Sequence, residues 1–158
     1  MKKQSVNSAF KIFKNLTMAL IEKSQNTMKI GEGFYKLKKD NYYKTLCEKD
    51  MTWSLFYKTY LTEYEIEQAQ IRNYARVYEH FHEYNKGKIP AMRRLTLLLP
   101  HLDKIDKEEY YYKALEQTPQ DFSNEVNMLK GKPNQETCEH EIGETWGKCK
   151  KCNKKMKL

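Results

Sequence analysis

The chain has 158 residues, enough for one domain with a small appendage but not for two independent large domains. Its 29 basic residues against 21 acidic ones leave a formal charge of +8, which favours polyanionic partners, nucleic acid first among them. No run of about 18 apolar residues exists to span a bilayer, and Met1-Lys-Lys-Gln-Ser lacks the apolar core of a signal peptide, so a cytoplasmic protein without a membrane partner is expected.

Residues 5–28 place Phe10, Phe13, Leu16, Leu20 and Ile21 at helical spacing, with Lys11, Lys14, Glu22 and Lys23 on other faces, which predicts an amphipathic packing helix. Gly31 and Gly33 read as punctuation before Phe34-Tyr-Lys-Leu-Lys-Lys, a short helix or turn. A phosphate loop is excluded there, because no Gly-Lys-Ser/Thr ending follows and no strand precedes. Residues 41–48 predict a short helix through Tyr43, Leu46 and Cys47, with Cys47 as a small core residue. Thr52 offers an N-cap to a helix whose aromatic face holds Trp53, Phe56, Tyr57 and Tyr60.

Thr62 and Glu65 have the spacing of a capping box, so the longest helix is expected to open near Thr62 and run to Tyr84. Its apolar face would be Ile66, Ala69, Tyr74, Val77, Phe81 and Tyr84, and Asn85-Lys-Gly87 would end it. Pro90 suits the start of the next helix, where Leu95, Leu98 and Leu99 form an apolar stripe closed by Pro100. Residues 107–117 predict a helix rich in Tyr110, Tyr111 and Tyr112, and Thr118-Pro119 caps a last one through Phe122, Val126 and Leu129. Most of the 12 tyrosines fall at helical spacing and are expected to fill the body rather than stack on bases. Gly131 to Asn134 form a hinge, and no strand alternation precedes it.

Beyond the hinge, Cys138, His140, Cys149 and Cys152 gather the chain's soft metal ligands. Three thiols and one imidazole suit a tetrahedral Zn²⁺, and four protein ligands leave no open position for a metal-bound water. One structural Zn²⁺ per chain is therefore expected, in a knuckle or ribbon too short to fold unaided. Catalytic look-alikes fail: His140 runs directly into Glu141 and no proline precedes Cys149, while His82-Glu83 continues as Tyr84, Asn85 and Lys86. Six lysines, Lys148, Lys150, Lys151, Lys154, Lys155 and Lys157, outnumber Glu139, Glu141 and Glu144 around these ligands and suit phosphate contact.

The order Trp53, Phe56, Thr62, Ala69, Tyr74, Val77, two helices joined by a tight break, resembles the helix-turn-helix regions of small phage and plasmid DNA-binding proteins, distantly those of ParB type. The resemblance covers about residues 40–130. It implies a helix-turn-helix-like unit over about residues 52–84, with Gln68, Arg72, Asn73 and Arg76 facing DNA. Arginine reads guanine bidentately, and Asn and Gln match adenine. Glu63, Glu65 and Glu67 depart from the pattern, since carboxylates at that helix end repel phosphate. Arg93 and Arg94 add basic groups on the following helix.

The expected fold is mainly α: a multi-helix bundle over residues 1–130, a hinge at 131–137 and a zinc-binding segment at 138–158. The expected function is nucleic-acid binding, DNA before RNA, without catalysis. The resemblance further implies a regulator or accessory replication or partition factor of a virus or mobile element, in the host cytoplasm if viral. The alternative is a protein interaction module, an adaptor or inhibitor that holds a protein partner with its aromatic helical surface and zinc knuckle. A two-fold homodimer is common among such binders, though no heptad seam marks its interface.

Overall fold

The computed structural model describes residues 6–21, 27–47, 51–131, 147–148 and 155–156. The protein is mainly helical, as the 3.6-residue periodicity predicts. Two compact units, Met1–Leu99 and Pro100–Leu158, divide the chain, so the boundary falls between the leucine stripe and Pro100.

The first unit contains α1 (Val6–Ile21), α2 (Thr27–Lys39), α3 (Tyr42–Leu46), α4 (Trp53–Tyr60), α5 (Gln68–Phe81) and α6 (Met92–Leu98). Its core joins Leu16 and Ala19 of α1, Ile30, Phe34 and Leu37 of α2, Tyr43 of α3, Phe56 of α4 and Ile71 of α5. Leu61 and Ile66, from the connection before α5, close it. The expected stripe of α1 is only partly used, because Phe10 and Ile21 remain 62% and 68% exposed. Trp53 lies nearly parallel to Phe56 at 5.7 Å, and Tyr43 meets Trp53 edge-on at 5.4 Å.

Gly31 and Gly33 are not punctuation; both lie buried within α2. A Cβ at Gly31 would stand 2.6 Å from the Tyr74 carbonyl oxygen and 2.8 Å from the Tyr78 Cβ, while one at Gly33 would stand 2.9 Å from Leu16. Both glycines therefore carry close helix crossings, Gly31 against α5 and Gly33 against α1. Glycine weakens a helix in isolation, but that loss is offset where the missing side chain lets two backbones approach.

The start of α5 also differs from expectation. Thr62 donates its hydroxyl to the Lys58 carbonyl (3.0 Å) and begins a single 3₁₀ turn, Thr62–Tyr64, which Glu65 ends in the left-handed region at φ 52°. The capping box forms instead between Glu67 and Gln70, with the Glu67 backbone amide donating to the Gln70 side-chain Oε1 at 3.0 Å. Burial of Ile66 explains the shift, because the Tyr57 hydroxyl donates to its carbonyl (2.9 Å) and holds the connection against the core. Consequently Ala69 is exposed, and α5 ends at Phe81 before a 3₁₀ turn, His82–Tyr84. The connection over residues 61–67 is longer than the ~3–4-residue turn of a helix-turn-helix. Thr52 caps α4 as expected, accepting from the Leu55 amide at 3.2 Å. Pro90 is buried ahead of α6 rather than in its first turn, which follows the N-cap Ala91.

The second unit contains α7 (Lys107–Glu116) and α8 (Pro119–Leu129), then β1 (Gly147–Lys148) and β2 (Lys155–Met156). Asp106 caps α7 by accepting from the Glu109 amide at 2.8 Å; Thr118 caps α8 by accepting from Asp121 at 3.2 Å, with Pro119 opening the helix. Tyr111, Ala114, Phe122 and Val126 are the buried apolar residues of this helix pair. Lys113 clips the two helices, pairing with Glu109 at 2.6 Å and with Glu125, which also accepts from the Gln117 amide at 2.7 Å. Burial pushes the Glu125 carboxyl up, but the hydrogen bonds from Lys113 and Gln117 outweigh it and hold it below its ordinary value. β1 and β2 pair antiparallel, Gly147 opposite Met156 and Lys148 opposite Lys155.

Candidate nucleic-acid interface

Gln68, Arg72 and Arg76 follow one another at four-residue intervals on α5, so one face of the helix presents all three. The C-terminal half of α2 stands opposite, brought close by the Gly31 crossing, and contributes Tyr35, Lys38 and Lys39. Trp53 at the start of α4 completes a groove of about 380 Å³, floored by Phe34, Ile71 and Ala75.

Four cations, Lys38, Lys39, Arg72 and Arg76, line this groove together with one carboxylate, Glu79. Glu79 is engaged by Lys39 at 3.3 Å. Lys39 is also hydrogen-bonded to the Tyr35 hydroxyl, and these two contacts, Tyr35 first, raise the affinity of its ammonium for the proton. Arg76 donates to the Leu99 carbonyl at 3.3 Å, beyond the last turn of α6, where a guanidinium complements the helix dipole. Lys38 hovers over the Trp53 ring, 5.8 Å from its centroid. Among the described residues, Lys38, Arg72 and Arg76 form no ion pair with a carboxylate, which leaves a positive surplus in the groove.

The groove thus brings together three of the residues expected to face DNA. Asn73 is not one of them: it stands about 100° around the helix from Arg72 and is half-buried. Arg93 and Arg94 belong to α6 and do not line the groove. Lys148 and Lys155 lie opposite each other in the ladder of the second unit. Lys150, Lys151 and Lys154, and the expected zinc ligands Cys138, His140, Cys149 and Cys152, lie outside the described residues. The start of α5 is an acidic end, with Glu67 held in its own capping box, so a phosphate would meet the arginine face rather than the helix terminus.

Tyr35, Lys38, Lys39 and Trp53 are the groove residues that sequence reasoning did not assign to a site. Lys38 and Lys39 stand three and four residues after Tyr35, a spacing that puts them beside it once α2 is seen as one helix. A larger concavity, about 650 Å³ between α1 and α2, is floored by Leu16, Ala19 and Gly33. No aromatic ring lines it, and its Lys36 is paired with Glu32.

No protein-family profile, curated protein or solved structure matches the chain.

Proposed function

We propose that the protein binds nucleic acid, DNA before RNA, through the groove between α2 and α5. The observation that carries this is that Arg72, Arg76, Lys38 and Lys39 line one groove with Trp53 and Gln68, Lys38 lying over the Trp53 ring. Surplus cations attract the phosphate backbone, and an aromatic surface with a side-chain amide offers contacts to bases. The overall charge of +8 agrees with such a partner.

The lysine-rich C-terminal segment would add phosphate contacts, held by one structural Zn²⁺ on Cys138, His140, Cys149 and Cys152. The antiparallel pairing of Lys148 with Lys155 supports this, because it brings those two residues to about 5 Å of each other on either side of the Cys149 and Cys152 positions in the sequence. A Cys-x2-Cys pair in so short a connection reaches a single metal readily. The resemblance of the sequence to phage and plasmid binders, from which the connection over residues 61–67 departs, is what points to a regulator or accessory replication or partition factor as the biological setting.

One observation favours the second reading, a protein interaction module: Val6, Phe10 and Ile21 stand on α1 with more than half of their surface exposed. Fluorescence anisotropy of labelled oligonucleotides separates the two. The nucleic-acid proposal expects binding at low salt that weakens steeply as salt rises; an absence of binding at low salt removes it.

A further inference from the structure

We infer that the α2–α5 groove takes a single strand, with one base laid on Trp53 and the adjoining phosphates between Lys38 on one wall and Arg72 and Arg76 on the other. This rests on the nucleic-acid proposal and narrows it to a substrate class.

The shape of the site decides against a duplex. To read the major groove, about 12 Å wide, a helix about 10–12 Å across must project freely into it. The polar face of α5 does not project; it is one wall of a concavity whose other wall is α2. At about 380 Å³, the space lies in the range of ordinary small-ligand pockets and suits a nucleotide unit rather than a paired helix. An unpaired strand can present its base flat, whereas a duplex keeps its bases stacked inside.

Trp53 is built as a platform. Its ring is half-buried and braced by Phe56 at 5.7 Å and Tyr43 at 5.4 Å, so its orientation is set before a ligand arrives. The Lys38 ammonium lies over the ring, 5.8 Å from the centroid, and Lys38 is an exposed residue. A base can take that place while the ammonium swings to a neighbouring phosphate, exchanging a cation–π contact for stacking plus an ion pair. Gln68, at the open end of the same face, carries both a donor and an acceptor for the edge of a base.

The chain has two tryptophans, so Trp146→Phe leaves Trp53 as the single indole reporter in the full-length protein. Titration with a ten-nucleotide oligothymidine should quench its emission, and the same strand annealed to its complement should bind more weakly and quench less. Trp53→Leu, checked for unchanged helical circular dichroism, should weaken single-strand binding by about 5- to 150-fold. The quenching measurement leaves Trp53 in place and does not depend on that variant folding. Binding of either DNA with no change in Trp53 emission, or tighter binding of the duplex, overturns the single-strand inference while nucleic-acid binding stands. Failure of both oligonucleotides to bind at low salt overturns both.

Discussion

Replacing Gly31 with alanine tests the helix crossing on which the groove depends. The added Cβ would stand 2.6 Å from the Tyr74 carbonyl oxygen and 2.8 Å from the Tyr78 Cβ. Even close C–H···O contacts need about 3.3 Å, so α2 and α5 must part locally by about 0.7 Å. The carbonyl belongs to the α5 backbone and cannot rotate away as a side chain would. A gap of about 0.5–1 Å forfeits a quarter to a half of the dispersion attraction across it, and overpacking of this kind costs about 1–3 kcal/mol. Against that, alanine removes a helix penalty of about 1 kcal/mol. With a backbone atom in the way, the cost falls in the upper part of that range, about 2–3 kcal/mol, so the expected net loss is about 1–2 kcal/mol, read as a lower urea midpoint at unchanged slope. Gly33→Ala should lose less, because the atoms it meets belong to the Leu16 side chain, which can shift in part. Gly31→Ala as stable as the parent protein, or more so, would refute the close crossing and the groove built on it.

Arg72→Ala should reduce the slope of log K against log salt by about 1 and weaken binding across sequences, as measured by anisotropy titrations at several salt concentrations. Protein purified without added zinc should contain about one equivalent per chain by elemental analysis, and Cys149→Ser should release it while far-ultraviolet helicity stays intact. Because the Glu125 carboxyl titrates below its ordinary value of 4.5 in the folded protein, its clip should stabilise fully above that value and fade as pH falls through the depressed one. Denaturation curves of Glu125→Gln and the parent should therefore differ at neutral pH and converge in acid; a constant difference down to pH 2 would contradict the clip. Thr52→Ala should cost about 1 kcal/mol in chemical denaturation by stripping the cap from α4.

Signals that act over a few residues were legible in the sequence. Periodic Leu95 and Leu98, the Thr52 cap and the Thr118-Pro119 start each specify local structure through contacts within one or two turns. Gly31 and Gly33 misled, because a glycine that breaks a helix and one that admits a neighbouring helix look the same until the neighbour is placed. Thr62 and Glu65 signalled the start of α5, but burial of Ile66 moved the capping box to Glu67 and Gln70. Phe10 and Ile21 fit the periodicity of α1, yet its core-facing stripe is narrower and leaves them outside.

The site was half legible for the same reason. Gln68, Arg72 and Arg76 share a helix face by spacing alone, whereas Lys39 and Glu79 are 40 residues apart and meet only through the α2–α5 crossing. Trp53 read only as part of the aromatic face of its helix, and its partial exposure beneath Lys38 is a tertiary property.

The most direct test of nucleic-acid binding by the groove is the salt dependence of single-strand affinity in the full-length protein, compared with a Lys38→Gln, Arg72→Gln variant that is equally helical. If Lys38, Arg72 and Arg76 each neutralise a phosphate, affinity should fall about 20-fold between 50 and 200 mM salt, and the variant should lose about two-thirds of that slope. Equal slopes for the two proteins, or no binding by the parent at 50 mM salt, would contradict the account.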